Sequence, residues 1–252
     1  MFTSSIGKKY LMALSGLVLV GFVFVHMAGN LQVLAGQEQI NAYAHSLQSL
    51  PWFVLWGSRL FLLAAISVHA WTAYSLISEN KTARPQQNDV EVTKRAGWSS
   101  LRMGLTGTII LAFVVFHLLH FTVRTIYPEY AEMMTLVGSP DQNQIHDAFL
   151  MIISGFKHDV VSVFYIVAMF LLCRHLAHGF SSVFQSLGVR SESWRKKLDY
   201  ISVGYAWLIF GGFSIVPLSV MAQKYDLYQT YDPSFFSSTE DQSTPNTTDD
   251  ES

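Results

Sequence analysis

The sequence predicts an all-α, polytopic membrane protein of five transmembrane helices with a cytoplasmic N-terminus. Three observations lead there. Half of the 252 residues are hydrophobic and only 13% are charged, against about 25% in a soluble domain. The charges gather in short clusters between long apolar runs, and in an acidic tail. Five runs reach the length of about 20 helical residues that spans roughly 30 Å of hydrocarbon. Lipid offers the backbone no hydrogen-bond partners, so such runs must be helices. The net charge of −2 offers no basic surface for nucleic acid, and the single cysteine, Cys173, rules out an internal disulfide.

The runs lie near Leu11–Leu34, Phe53–Ile77, Gly104–Ile126, Val160–Phe184 and Ile201–Val220. Lys8 and Lys9 ahead of the first run resemble the start of a signal peptide. That run is longer than a typical h-region, and "VLAG" is a weak cleavage site, so a retained helix is expected. Residues 1–224 then form one membrane domain. Residues 225–252 are polar, acidic and rich in Ser and Thr, and read as a disordered tail.

Basic residues sort the loops. Lys8 and Lys9 precede run one; Lys81, Arg84, Lys94 and Arg95 follow run two; Arg190, Arg195, Lys196 and Lys197 follow run four. The loops Ala35–Trp52 and Tyr127–Gly155 carry no Lys or Arg. The positive-inside rule puts the basic side in the cytoplasm and the C-terminal tail outside.

A hairpin is written twice. Ser15–His26 aligns with Thr106–His117: each has Ser or Thr, then Gly, then nine residues, then His. "HAWTAYS" from His69 aligns likewise with "HLAHGFS" from His175. At a rise of 1.5 Å per residue, His26 and His117 sit about 27 Å above the cytoplasmic ends of their helices. His69 and His175 sit about 12–15 Å above theirs. Four histidines thus fall into two pairs at two depths. Histidine in a membrane helix usually faces the bundle interior. Two neutral imidazoles facing each other can fill both axial positions of a haem iron. The small residues Gly16, Gly21, Ala73, Gly107, Ala112 and Gly179 could clear room for a porphyrin. A single such histidine is more often a packing residue; the paired depths favour ligation.

The stretches "HMAGNLQ", "AHSLQSLP", "HAWTAYSLISENKTARP", "TGTIILAFVVFHLLHF" and "RHLAHGFSSVFQSLG" resemble a known family. It is the five-helix, two-haem cytochrome b membrane anchor of succinate dehydrogenases and fumarate reductases. The resemblance implies that His26 and His117 ligate the outer haem b and His69 and His175 the inner one. It also implies a flavoprotein subunit, an iron–sulfur subunit docked at the cytoplasmic face, and a membrane quinone, typically menaquinone. Some fumarate reductase relatives carry a glutamate where this chain has Cys173, which puts a proton path through that position in doubt. The inner (cytoplasmic) cell membrane is the expected location.

The remaining polar residues are read around that frame. Arg59 lies near the depth of the outer pair and Arg174 beside His175; each is a candidate partner for a haem propionate. Asn30, Gln32, His45, Gln48, Arg59 and His158 gather at the outer end, where His45, Gln48 and His158 are candidate quinone residues. His120 and His178 read as packing neighbours of the ligands, and His146 as a surface residue. Two other functions fit the apolar pattern: a haem b anchor of another respiratory complex, and a haem-free proton-conducting protein. The chain itself has no residues read as catalytic for succinate. The pattern serves succinate oxidation and fumarate reduction alike.

Overall fold

The structure is a computed structural model that describes residues 4–82, 94–136, 144–189 and 191–224. The sequence segment Arg84–Glu91, Arg190 and the acidic tail lie outside the described residues. The chain is predominantly helical, and five helices are long and apolar enough to cross a membrane. These are α1 (Ser5–Asn30), α3 (Trp52–Thr82), α4 (Lys94–His117), α6 (Asp159–Ser186) and α7 (Glu192–Lys224). Many of their large apolar side chains point outward, as Leu60, Phe61, Leu105, Val163 and Leu208 do. In water that exposure would be a heavy cost; against acyl chains it costs nothing. Exposed Trp52, Phe53 and Trp56 open α3, and exposed Trp194 and Tyr200 open α7. Such aromatic rings collect at membrane interfaces.

The segments expected as plain loops carry structure of their own. Gln37–Gln48 is helix α2, Met134–Leu136 and Gln144–His146 pair as the antiparallel strands β1 and β2, and Ala148–Lys157 is helix α5. They form a cap over one end of the bundle. Asp147 ties it together: its carboxylate caps α5 by accepting from the Leu150 N–H at 2.9 Å. The same carboxylate accepts from Asn41 at 2.9 Å and from Gln37 at 2.6 Å. Asn41 returns a bond by accepting from the Phe149 N–H at 2.9 Å. Both Asp147 and Asn41 are buried, so every polar atom in this latch has to find a partner. Beneath it lies the main apolar core, with Val33, Phe113, Phe149, Ile153, Phe156, Tyr165, Val216 and Val220.

The packing order of the long helices sets the site. Helix α1 packs on α3 and α6, and α4 packs on α6 and α3, so these four helices form a square. Helix α7 lies outside it, against α6 and α1. Met27, Cys173, Leu176, Ala206 and Ile209 fill that seam. The Tyr205 hydroxyl donates to the Val20 carbonyl at 2.6 Å across it. At one end of the bundle the Lys8 ammonium pairs with Glu79 and donates to the Ser75 hydroxyl at 2.7 Å. At the other end Lys224 pairs with Asp159 at 3.1 Å. Lys8, counted among the orienting charges, is therefore a buried ion-pair partner rather than a free cation.

Candidate functional site: two histidine pairs across the bundle

The four histidines come from four different helices and meet across the diagonals of the square. His26 on α1 faces His117 on α4, with ring centres 5.8 Å apart. His69 on α3 faces His175 on α6, with ring centres 6.4 Å apart. A metal–imidazole nitrogen bond is about 2.0 Å, so two rings on one metal from opposite sides have centres about 6 Å apart. Both pairs stand at that separation. Diagonal helices barely touch through their backbones, which leaves the room between them to the side chains.

The repeated Gly-to-His spacing acquires a geometric meaning. A side-chain carbon added at Gly16 would lie 3.2 Å from the His69 ring, and one at Gly107 would lie 3.4 Å from the His175 ring. The glycines therefore mark the level of the second histidine pair on the helices that carry the first. His26 lies ten positions beyond Gly16, and His117 ten beyond Gly107. At 1.5 Å per residue the two pairs lie about 15 Å apart along the bundle. Each glycine has a hydroxyl residue before it. Ser15 Oγ is 3.4 Å from His69 Nδ1, and Thr106 Oγ1 is 3.3 Å from His175 Nδ1. Of the other small residues, Gly21 has no neighbour within 4 Å of an added carbon, and Gly179 meets Met103 at 3.8 Å.

The His26–His117 pair sits in an aromatic wall. Phe22 stacks on His26, and Phe113 stacks on His117 with centres 5.9 Å apart. The Tyr165 hydroxyl is 3.4 Å from His117 Nδ1 and 2.9 Å from His120 Nδ1. His120 is fully buried and packs against Phe116, Phe121 and Tyr165. Immediately after His117 the helix loosens into a π turn, Leu118–Thr122, a form found mostly at functional sites. Arg124 follows with φ 62°, a left-handed backbone rarely adopted by a bulky residue.

That irregular exit builds a cavity of about 400 Å³. Gln48, Arg59, Phe121, Thr122, Arg124 and His146 are among its lining residues. Phe121 is shared with the histidine wall, its ring centre 5.9 Å from that of His117. Among the described residues Arg59 and Arg124 have no carboxylate partner; Arg59 stacks over Trp56 at 5.1 Å. The Arg124 Nε is buried without a hydrogen-bond partner. Burial holds the Arg124 guanidinium below its ordinary proton affinity. Both ring nitrogens of His146 are buried, with only the Met133 carbonyl near, off good hydrogen-bond geometry. Burial first, and the Arg124 charge second, push the His146 pKa down from 6.5.

The structure thus brings Gln48 and Arg59 together and adds two residues that sequence reasoning missed. His146, expected at the surface, turns its ring into the cavity because strand β2 holds it beside Arg124. Nothing local in the sequence announces the π turn that precedes Arg124. His45 does not line the cavity. It is exposed on α2 and bonded to its own helix through Ser49. His158 is also exposed and stacks on Tyr127 at 5.5 Å. Asn30 donates to the His26 carbonyl at 2.7 Å, and Gln32 accepts from Gln39 at 3.0 Å. Arg174 and His178 are exposed on α6.

The donor set discriminates between kinds of metal group. Among the described residues no three His, Cys, Asp or Glu side chains gather to cage a bare ion. Each pair offers two imidazoles and no more. A metal held there must bring its other ligands with it, as an iron porphyrin does. No protein-family model, curated protein or solved structure matches the chain.

Proposed function

We propose that this protein is the membrane anchor and electron-transfer subunit of a succinate:quinone oxidoreductase in the inner (cytoplasmic) membrane. The observation that carries the reading is the pair of cross-bundle imidazole contacts, at 5.8 and 6.4 Å between ring centres. His26 with His117, and His69 with His175, would each hold one haem b. Bound there, the haems supply a reversible one-electron change of iron at two levels of the membrane. The resemblance of the sequence supports the choice of complex, with a flavoprotein and an iron–sulfur subunit as partners and menaquinone as the quinone.

The chain's own residues divide the remaining work. Each pair of imidazoles would hold one haem at its own level of the bundle. The aromatic wall of Phe22, Phe113, Phe116 and Tyr165 keeps water from the His26–His117 pair. Arg59 and Arg124 present cationic donors to a carboxylate reaching the cavity, such as a haem propionate. Gln48 and the neutral His146 imidazole each offer a hydrogen-bond donor to a quinone carbonyl. These donors favour the cavity beside Phe121 as the quinone site we propose, ahead of His45 and His158.

The deciding experiment is the absorption spectrum of the purified chain after reduction. Two b-type haems are expected in the wild type. His69→Ala or His175→Ala should remove one of them, and His26→Ala or His117→Ala the other. A haem-free protein would sink the reading in favour of proton conduction. Removal of the same haem by His26→Ala and His69→Ala would contradict the pairing.

A further inference from the structure

A hydroxyl residue followed by glycine stands against a histidine ring in both halves of the chain. Ser15–Gly16 on α1 meets His69, and Thr106–Gly107 on α4 meets His175. Both pairs of residues are ninety-one positions apart. The carbonyl three residues before each hydroxyl comes from a methionine in both halves, Met12 and Met103.

Where the hydrogens lie decides what these contacts do. A serine has one hydroxyl hydrogen and two acceptor positions. That of Ser15 is directed to the Leu11 carbonyl at 2.7 Å. That of Thr106 is directed to the Met103 carbonyl at 3.2 Å. Each hydroxyl oxygen therefore meets its imidazole as an acceptor. The Met12 carbonyl, which can only accept, lies 3.2 Å from His69 Nδ1 as well. A ring nitrogen facing acceptors carries the proton, and in a neutral imidazole the other nitrogen then keeps its lone pair. The glycines complete the arrangement: a side-chain carbon at Gly16 would crowd the imidazole edge of His69 at 3.2 Å, and one at Gly107 would come into contact with that of His175 at 3.4 Å.

We propose that Ser15–Gly16 and Thr106–Gly107 form a duplicated positioning device for His69 and His175. The hydroxyls accept from Nδ1–H and fix the tautomer. The glycines let each ring approach the neighbouring helix, so that Nε2 points across the bundle at its partner. This rests on the haem reading and says which residues aim two of its four ligands. The other pair is built differently. His26 faces the Asn30 amide, a donor, at 3.4 Å from both ring nitrogens, and His117 shares the Tyr165 hydroxyl with His120. An acceptor on the far nitrogen of a ligating imidazole makes the ligand more basic. Loss of the acceptor should make the iron easier to reduce.

The test uses the full chain in its intact complex, with haem content and redox titration as readouts. Ser15→Ala and Thr106→Val remove the acceptor; Ser15→Thr keeps it. Two haems are expected in all three variants. In Ser15→Ala and Thr106→Val one midpoint potential should move positive, and it should be the one abolished by His69→Ala. In Ser15→Thr both potentials should match the wild type. Unchanged potentials in both hydroxyl-free variants, with two haems bound, would overturn the proposal. So would a Ser15→Thr protein that behaves like Ser15→Ala, since size rather than the hydroxyl would then matter. Loss of both haems in Ser15→Ala and Thr106→Val would also overturn it, by making these residues general to assembly. A wild-type chain without haem would instead defeat the functional reading itself.

Discussion

At the scale of single residues, close approach is what makes the second histidine pair sensitive. The side-chain carbon absent from Gly16 would sit 3.2 Å from His69 Cε1, so alanine needs the ring to give by a few tenths of an ångström. Valine adds two methyl groups and leaves no room to give. Gly16→Val is expected to lower haem content by half, with the His26–His117 haem kept; an unchanged spectrum would show that the ring is free to move. His146 predicts a pH effect. Its pKa lies below 6.5 in the folded protein because burial and the Arg124 charge oppose protonation. Below pH 6.5 the unfolded chain therefore takes up a proton that the folded chain resists. Stability present above that pH is lost as pH falls towards the lower folded value. Thermal melts in detergent should show this loss, and His146→Gln should flatten it.

At the scale of elements, the cap over the bundle depends on one carboxylate. Asp147 starts α5, anchors α2 through Asn41 and Gln37, and is itself buried. Removing an N-cap side chain costs about 1 kcal/mol, and leaving a buried amide such as Asn41 without its partner costs about 1–3 kcal/mol more. Asp147→Ala should therefore loosen α2 and α5 together. Proteolysis or hydrogen exchange in the cap is the measurement, and protection that persists in both helices would refute the latch. Gln48 and His146 belong to the two sides of this latch, so on the proposed function quinone-linked activity should fall with it. Activity with a soluble dye, which bypasses the cavity, should not.

At the scale of the whole molecule, the basic loops set an expected orientation with the N-terminus in the cytoplasm. Exposed Ser46 on α2 and exposed Ser193 at the start of α7 lie at opposite ends of the bundle. With Cys173 replaced by Ala, a membrane-impermeant maleimide added to intact cells should label Ser46→Cys and spare Ser193→Cys until the membrane is opened. The reverse pattern would invert the topology and put the proposed iron–sulfur partner at the capped face. Lys196 near the start of α7 should cross-link to that subunit in the intact complex. The partner segment around Lys94 begins outside the described residues.

The sequence by itself determined the five spans and the two levels of histidine. Apolar length is a local quantity: each residue adds its own transfer free energy, and helix rise converts spacing into depth. The repeated Gly-to-His interval was legible for the same reason. Only the tertiary structure decided that the histidines meet across the diagonals. That depends on which helices pack side by side, and no local preference encodes it. The cap and the cavity were hidden more deeply. Gln48, Arg59, Arg124 and His146 come from four separate segments, and a left-handed Arg124 after a π turn aims one of them. Asp147 and Asn41, more than a hundred residues apart, are drawn together because neither can stay buried without the other's hydrogen bonds.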